Sequence, residues 1–339
     1  MKTFGGLGDW FFAVLVCAIL PCPGQVVQLS QASERSDSSP QRWPEVVQSL
    51  AWFDSNKAEP AGTRDRAASE PEAREFIYKK TPQGDLKIHV HFPPRWKSSD
   101  QRPAMIFFFG GAWSQGSVTQ FLRQAEYFAG RGMVTARADY RVASRHGTLP
   151  DKCVEDARSA IRWLRLRSRE LGIDPNRIVG SGGSAGGHIA ACAALARGPD
   201  DEKDDLRVSC RPNALVLFNP VVDLDGVRQK ILDASGRNVT ELLSPILSLN
   251  SSAPTAILFY GTNDRFLEQG LRFRARAKEL GLRAEVYTAL DQPHGFFNRT
   301  PWQEVTMRRA DEFLASLGYV KGPPTIELPA GAPELKPAK

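Results

Sequence analysis

The sequence predicts an α/β fold in which a mostly parallel central sheet is flanked by helices and carries a small cap region. Strand-like apolar runs alternate along the chain with segments of helical periodicity, which is typical of a parallel sheet. One of these runs leads through a glycine-rich turn at 182–186 into a helix, an arrangement found at the edge of such sheets. With 339 residues, of which 42% are hydrophobic, the chain can bury one large core.

The first half of the predicted sheet begins with an antiparallel pair at about 75–80 and 86–92. A buried strand follows at 104–109, where every residue is apolar. A helix at about 119–131 then leads to the next strand, at 133–138. These elements place one connecting helix between two strands, which predicts that the two strands pair in parallel.

The second half opens with a long helix from Pro150 to Leu171, because proline is favoured at the first helical position. Its apolar side carries Ile161, Trp163 and Leu164. Residues 223–250 show no clear sheet pattern and are predicted to form the cap. The remaining strands are predicted at 177–180, 214–218, 256–260 and 283–288, and the remaining helices at 188–197 and from 301 to about 317.

Gly182-Gly183-Ser184-Ala185-Gly186 is the most informative motif of the chain. A β-branched run precedes it and a small-residue helical run follows, so the chain passes from a strand through a sharp turn into a helix. In such a turn the central residue is strained, and the chain comes so close to its neighbours that only glycine fits at Gly182 and Gly186. The turn lifts the hydroxyl above the sheet edge, near the positive end of the helix, and predicts Ser184 as a nucleophile.

A second motif lies upstream, where the strand at 104–109 runs directly into Gly110-Gly111-Ala112-Trp113. Consecutive glycines after a buried strand leave backbone N–H groups unshielded by side chains. Such groups can stabilise an oxyanion together with the N–H that follows the nucleophile. The predicted donors are therefore Gly111, Ala112 and Ala185. The alternative is a glycine-rich turn that only lets Trp113 pack.

The chain has five histidines, and His294 is the one placed to act as general base. It lies in the loop after the last predicted strand, so it follows the serine in the order that nucleophile, acid and histidine require. The other four lie before the serine or, in the last case, on a helix that carries the ring away from the hydroxyl: His89, His91, His146 and His188.

Asp264 is the first candidate for the acid, because it directly follows a predicted strand and a short carboxylate there can point toward the site. Asp223, which follows the preceding strand, is the main rival, and Asp291 is a third candidate. The acid would hold the imidazole of His294 in the tautomer that accepts the serine proton.

Together these motifs resemble the α/β-hydrolases of the hormone-sensitive-lipase-like and feruloyl- and acetyl-esterase (carboxylesterase) group. The resemblance spans about residues 76–318 and implies an α/β-hydrolase fold and a carboxylic ester hydrolase. It also implies a triad of Ser184, Asp264 and His294. The matching residues are Gly110-Gly111-Ala112-Trp113, Asp139-Tyr140-Arg141, Gly182-Gly183-Ser184-Ala185-Gly186-Gly187-His188, Gly261-Thr262-Asn263-Asp264 and His294-Gly295-Phe296-Phe297.

One residue departs from the family pattern. The family usually has a histidine before the oxyanion glycines, where this chain has Phe109, so the hydrogen bonding that braces this loop in the family is in doubt here. Trp113 and Phe296 adjoin the predicted site and are candidates for substrate binding.

The resemblance implies hydrolysis of short-chain acyl esters, with acetyl or feruloyl groups on polysaccharide among the substrates. Kynurenine formamidases and dipeptidyl-peptidase-type enzymes share the serine turn and the triad, so an amide substrate stays open. Those peptidases normally carry a separate propeller domain, for which this chain is too short. A hydrolase fold used only for binding is a third reading; its usual sign is loss of a triad residue, and all three are present.

The composition and charge of the chain predict no nucleic-acid, metal or cofactor partner. The formal net charge is +6 and the pI about 9.1, and arginines at 158, 162, 165, 167 and 169 are interpreted as the solvated face of one helix rather than a nucleic-acid site. No CxxC motif or histidine–carboxylate cluster indicates a metal, and no cofactor is predicted. Cys153, Cys192 and Cys210 allow one disulfide of undetermined pairing. The oligomeric state stays open.

The N-terminus resembles a secretory signal, because Lys2 precedes an apolar run that is too short to span a membrane comfortably. Cleavage after Gly24 would leave a secreted or periplasmic protein without stable membrane insertion. The predicted organisation begins with a signal peptide at 1–24 and a polar linker with one short helix at 25–75. A catalytic domain follows at 76–318, with its cap at 223–250, and the chain ends in a disordered proline-rich tail at 319–339.

Overall fold

One sheet runs through the part of the chain that the computed structural model describes, which comprises residues 73–195, 198–225, 231–233 and 235–338. Its nine strands are, in chain order, β1 (Arg74–Thr81), β2 (Gly84–His91), β3 (Arg102–Phe108), β4 (Val134–Ala138), β5 (Ile173–Gly183), β6 (Ala214–Phe218), β7 (Thr255–Gly261), β8 (Ala284–Ala289) and β9 (Lys336–Pro337). Across the sheet they lie in the order β1-β2-β4-β3-β5-β6-β7-β8-β9. The six strands from β4 to β8 pair in parallel, so the predicted mostly parallel sheet is confirmed.

The described residues also form seven α-helices: α1 (Leu122–Gly130), α2 (Ala143–His146), α3 (Pro150–Leu166), α4 (Ser168–Leu171), α5 (Ala185–Leu195), α6 (Leu267–Glu279) and α7 (Trp302–Ser316). Three 3-10 helices lie at Val118–Phe121, Pro245–Ser248 and Phe296–Asn298. The long helix predicted from Pro150 is divided at Arg167 into α3 and α4. Gly172, at a φ of 63°, ends α4 in the left-handed conformation that glycine favours.

Alternate residues of the central strands enter two apolar clusters, one on each face of the sheet. In β3, Ile106 and Phe108 belong to one cluster, whereas Met105 and Phe107 belong to the other. Successive side chains of a strand point to opposite faces, so a strand covered by helices on both sides is apolar at every position. This arrangement explains the unbroken apolar run from which β3 was predicted.

The predicted N-terminal segments and the predicted cap lie wholly or partly outside the described residues. Residues 1–72 lie outside the described residues, and with them the predicted signal peptide and almost all of the predicted linker. In the described part of 223–250, regular structure is limited to the 3-10 helix and one bridge between Leu232 and Asn238. Leu243 of this segment is fully buried, and the role of the segment as a cap stays a prediction. Among the described helices, none combines the length and the hydropathy that crossing a membrane requires.

The C-terminal tail differs from the prediction of disorder. Its residues Lys336 and Pro337 pair with β8, and Leu328 and Leu335 pack against one of the apolar clusters. Arg131 donates to the carbonyl oxygens of residues 321 and 322, each at 3.0 Å. The prolines that suggested disorder also restrict the unfolded chain, which lowers the entropy lost when the intervening leucines dock.

The arginines of α3 also differ from their predicted role. Arg158 and Arg162 are 8% and 5% exposed, and a loop that carries Asp200 and Asp204 covers them with ion pairs of 2.6–2.8 Å. Arg165 donates to the carbonyl oxygen of Pro175 at 3.0 Å. The interpretation as a solvated face is therefore wrong for Arg158 and Arg162, because an acidic loop distant in sequence folds over them.

The cysteines in the described part of the chain form no disulfide. Cys153, Cys192 and Cys210 are all free and buried. Burial raises the pKa of the Cys153 and Cys192 thiols well above the usual range, which keeps both in the unreactive thiol form.

Candidate active site

Ser184 occupies the turn between β5 and α5, with a φ of 51°. A positive φ is strained for a residue with a side chain, and such strain is typical of functional turns. A Cβ added to Gly182 would lie 2.5 Å from the carbonyl carbon of Gly186, and one added to Gly186 would lie 2.0 Å from the carbonyl oxygen of Phe108. The close approach that predicted both glycines is therefore present in the structure.

The structure brings together the three side chains predicted to carry the chemistry. His294 Nε2 lies 2.8 Å from Ser184 Oγ, and His294 Nδ1 lies 2.8 Å from Asp264 Oδ2. Ser184 and Asp264 are buried, whereas the histidine side chain is 20% exposed. The other oxygen of Asp264 accepts a hydrogen bond from the N–H of Phe266 at 2.9 Å, which fixes the carboxylate. The arrangement can move a proton from the hydroxyl to the imidazole.

The two rival aspartates make other contacts. Asp223 forms an ion pair of 2.9 Å with Arg272 on α6. Asp291 lies in the turn after β8 with a φ of 57°, and its N–H donates to Thr262 Oγ1 at 2.8 Å. Of the three candidate carboxylates, Asp264, the first candidate, is the one that accepts the described hydrogen bond from the imidazole.

The predicted oxyanion loop has an unusual backbone. Gly111, Ala112 and Trp113 have successive φ values of 132°, 53° and 57°. The carbonyl of Gly111 accepts from the N–H groups of Ser114 and Gln115, each at 3.0 Å, which closes the turn. The N–H groups of Gly111 and Ala112 donate to no oxygen among the described residues.

Ala185, the third predicted donor, is the first residue of α5, where a backbone N–H has no partner within the helix. A Cβ added to Gly110 would lie 3.3 Å from Ser184 Cβ, so the oxyanion loop approaches the serine turn closely. The three N–H groups belong to two loops that meet beside Ser184, where they can serve a substrate oxygen that becomes negatively charged.

The oxyanion loop is braced although Phe109 replaces the usual histidine. The Phe109 ring stacks on Tyr140 at 4.1 Å, and the Tyr140 hydroxyl donates to the Phe109 carbonyl oxygen at 2.6 Å. On the other side, Trp113 Nε1 donates to His188 Nδ1 at 3.1 Å, and His188 Nε2 donates to the carbonyl oxygen of Leu243 at 2.7 Å. Burial lowers the pKa of His188 to about 4, so this buried ring is neutral at pH 7.

The two candidates for substrate binding are largely enclosed by protein. Trp113 is 7% exposed and uses its indole N–H on His188, while Phe296 is 3% exposed and packs edge-on against Trp302 at 5.7 Å. Their contact with a substrate stays a prediction. No group of three or more histidine, cysteine, aspartate and glutamate side chains in the described part of the chain is arranged to hold a metal ion.

Sequence reasoning missed Asn219, whose Nδ2 lies 3.2 Å from His294 Nε2. Asn219 is fully buried and directly follows β6. The signal that predicted Asp264, a polar residue just past a parallel strand, was available for Asn219 as well.

The chain is similar to known proteins over much of its length. The BD-FAE family model matches residues 88–271, which is more than half of the chain. Esterase 2 (Est2) of the Planctomycetes species Thermogutta terrifontis, solved with propionate bound, is 40% identical, with a TM-score of 0.70 over 75% of this chain and 98% of that one.

Two mycobacterial relatives are more distant. Carboxylesterase NlhH of Mycobacterium tuberculosis is 36% identical over 115 residues, which are 33% of this chain and 35% of NlhH. The matched region thus spans about a third of NlhH. Esterase LipI of the same species is 25% identical over 235 residues, 63% of this chain and 72% of LipI. The expected family and its enzyme class are confirmed: the chain belongs to the BD-FAE family, within the α/β-hydrolase esterases.

Proposed function

We propose that this chain is a secreted serine esterase that hydrolyses short-chain acyl esters, with Ser184 as nucleophile, His294 as general base and Asp264 as the acid. The observation that carries the proposal is the line of two 2.8 Å contacts from the Ser184 hydroxyl through His294 to Asp264. The apolar run after Lys2 supports secretion.

Each step of the proposed reaction has a group to perform it. Ser184 Oγ attacks the ester carbonyl carbon while His294 Nε2 takes its proton, and the carbonyl π electrons move onto the oxygen. The N–H groups of Gly111, Ala112 and Ala185 stabilise this oxyanion.

Collapse of the tetrahedral intermediate breaks the bond to the alcohol, which leaves with the proton from His294. A water that gives its proton to His294 then hydrolyses the acyl-enzyme. Asp264 stabilises the imidazolium that forms in both halves of the reaction.

Short acyl groups are the proposed substrates. Esterase 2 of Thermogutta terrifontis has been solved with propionate and with butyrate, and this supports a similar acyl range here. Acetyl or feruloyl groups on polysaccharide are the proposed natural class, because a secreted enzyme meets extracellular esters.

Hydrolysis of p-nitrophenyl acetate, butyrate and octanoate by the purified chain tests this function, with Ser184→Ala measured alongside. We expect activity to peak at the short esters and to fall at least about 10⁴-fold in Ser184→Ala, because removing the nucleophile of such a triad abolishes the covalent route. The thermal unfolding midpoint should stay within a few degrees of wild type. Equal activity of a folded Ser184→Ala variant would reject the proposal.

A further inference from the structure

Two side-chain amides connect the oxyanion loop to the loop that carries His294. Gln120 lies in the 3-10 helix after the oxyanion loop, and its Oε1 accepts from the N–H of Gly110 at 2.6 Å. Gln120 Nε2 donates to Asn298 Oδ1 at 3.1 Å, and Asn298 Nδ2 donates to the carbonyl oxygen of Gly295 at 3.0 Å. Gly295 follows His294 directly, so a chain of three hydrogen bonds joins the two loops.

The orientation of both amides follows from the ends of this chain. A backbone N–H at one end requires an oxygen of Gln120, and a backbone carbonyl at the other end requires the nitrogen of Asn298. The oxygen of Asn298 then faces the nitrogen of Gln120, so every donor meets an acceptor. A flip of either amide would place two donors or two acceptors against each other.

Asn219 extends the same connection to the imidazole. Its Oδ1 accepts from the N–H of Gly295 at 3.1 Å, so its Nδ2 is the atom 3.2 Å from His294 Nε2. A donor at this position requires Nε2 to be unprotonated, which places the ring proton on Nδ1, toward Asp264. This is the tautomer that a general base needs.

The backbone of Asn219 is itself tightly held. Its φ is 36° and its N–H donates to the carbonyl oxygen of Phe259 at 2.7 Å. The N–H of Gly295 donates to Asn219 and its carbonyl accepts from Asn298, so side chains hold both backbone polar groups of Gly295.

We propose that Gln120, Asn298 and Asn219, here called the amide bridge, are positioning residues that fix the distance between the oxyanion loop and His294 and the tautomer of the imidazole. The inference rests on the proposed esterase function. A serine attack needs the base and the oxyanion donors in place at the same moment, and a displacement of about 1 Å can cost about 100-fold in rate. The amide bridge joins these two parts directly.

Three single substitutions in the purified chain test the amide bridge with p-nitrophenyl butyrate. Gln120→Met and Asn298→Leu remove the amides at nearly constant volume, and Asn219→Leu removes the contact with the imidazole. We expect each to lower kcat about 10- to 100-fold while KM stays within about threefold, because ground-state binding does not depend on the bridge. Gln101→Met, at an exposed glutamine before β3, is the matched control and should retain wild-type kcat.

Gln120→Glu tests whether Gln120 acts through its link to Asn298 or only by binding the N–H of Gly110. The carboxylate keeps an acceptor for the Gly110 N–H but has no donor for Asn298. We expect Gln120→Glu to lose as much kcat as Gln120→Met. Full activity of Gln120→Glu would overturn the bridge.

The double variant Gln120→Met/Asn298→Leu tests whether the residues act as one unit. We expect the kcat of the double variant to equal that of the less active single variant, since the first substitution already breaks the connection. Strictly multiplicative losses would overturn the proposal. Asn298→Asp, which keeps the side-chain shape but lacks the donor to Gly295, replaces Asn298→Leu if that variant does not fold.

The two proposals fail in different ways. If wild-type activity persists in Ser184→Ala, the esterase function itself is wrong. If activity depends on Ser184 but Gln120→Met, Asn298→Leu and Asn219→Leu keep kcat within twofold of wild type, the function stands and the amide bridge is rejected.

Discussion

Two groups of polar residues in the described part of the chain differ in how completely their charges and hydrogen bonds are used. The first, the charge cluster, consists of Lys79, Arg141, Glu155, Asp156 and Asp201. Within it Lys79 lies 2.8–3.1 Å from three carboxylates, and Arg141 binds two of them at 2.6–2.8 Å.

The candidate active site is the opposite case. The N–H groups of Gly111 and Ala112 donate to no oxygen in the described part of the chain, and the His294 side chain is 20% exposed. A saturated cluster has no group left for a ligand, whereas oriented donors without a protein partner can serve a charge that develops during a reaction. The groups of the charge cluster are therefore paired within the protein, whereas the site keeps donors available for chemistry.

The largest effect on stability should come from opening the charge cluster. Arg141→Met leaves Glu155 and Asp156 buried with fewer partners, so we expect the free energy of unfolding in urea to fall by about 3–5 kcal/mol. Arg167→Met, which removes an exposed pair with Glu170, is the control and should cost less than about 1 kcal/mol. Equal losses in the two variants would contradict the distinction between the cluster and an ordinary surface pair.

Acidification should destabilise the protein through His188, the buried histidine that binds Trp113 of the oxyanion loop. Burial lowers the folded-state pKa of His188 to about 4, below its usual value of 6.5, so the unfolded chain binds the proton first as the pH falls. The stability that neutral His188 contributes is present above pH 6.5 and decreases by up to about 3 kcal/mol between pH 6.5 and pH 4. His91, whose pKa burial also lowers to about 4, adds to the same decrease.

Urea unfolding at pH 7 and pH 4.5 checks this prediction in wild type and in His188→Gln. The variant should lose less stability than wild type between the two pH values, because the contribution of the His188 ring is gone. The same pH dependence in both proteins would show that His188 does not titrate in this range.

The smallest predicted effect separates two roles of Trp113. Trp113→Phe removes the indole donor to His188 and should cost about 1 kcal/mol of stability. If Trp113 only braces the oxyanion loop, kcat/KM should fall by one common factor for p-nitrophenyl acetate and octanoate. A change in the ratio between the two esters would instead favour its predicted contact with the acyl group.

The sequence predicts the site better than its surroundings. Ser184, His294 and Asp264 could be proposed because each lies in a loop directly after a parallel strand, and such loops converge at one edge of the sheet. Arg158 and the tail could not be predicted, because their burial depends on segments distant in sequence. Gln120 and Asn298 carried no signal, since an amide in a polar loop has many ordinary uses.

The short strand β9 has a consequence for self-association. An exposed sheet edge offers unpaired N–H and C=O groups on which another molecule can add a strand. Here β8 would be such an edge, but Lys336 and Pro337 cover part of it. Proline has no N–H to donate and lysine carries a charge, so the sheet ends on two residues that disfavour further strand addition and protect the protein against edge-to-edge aggregation.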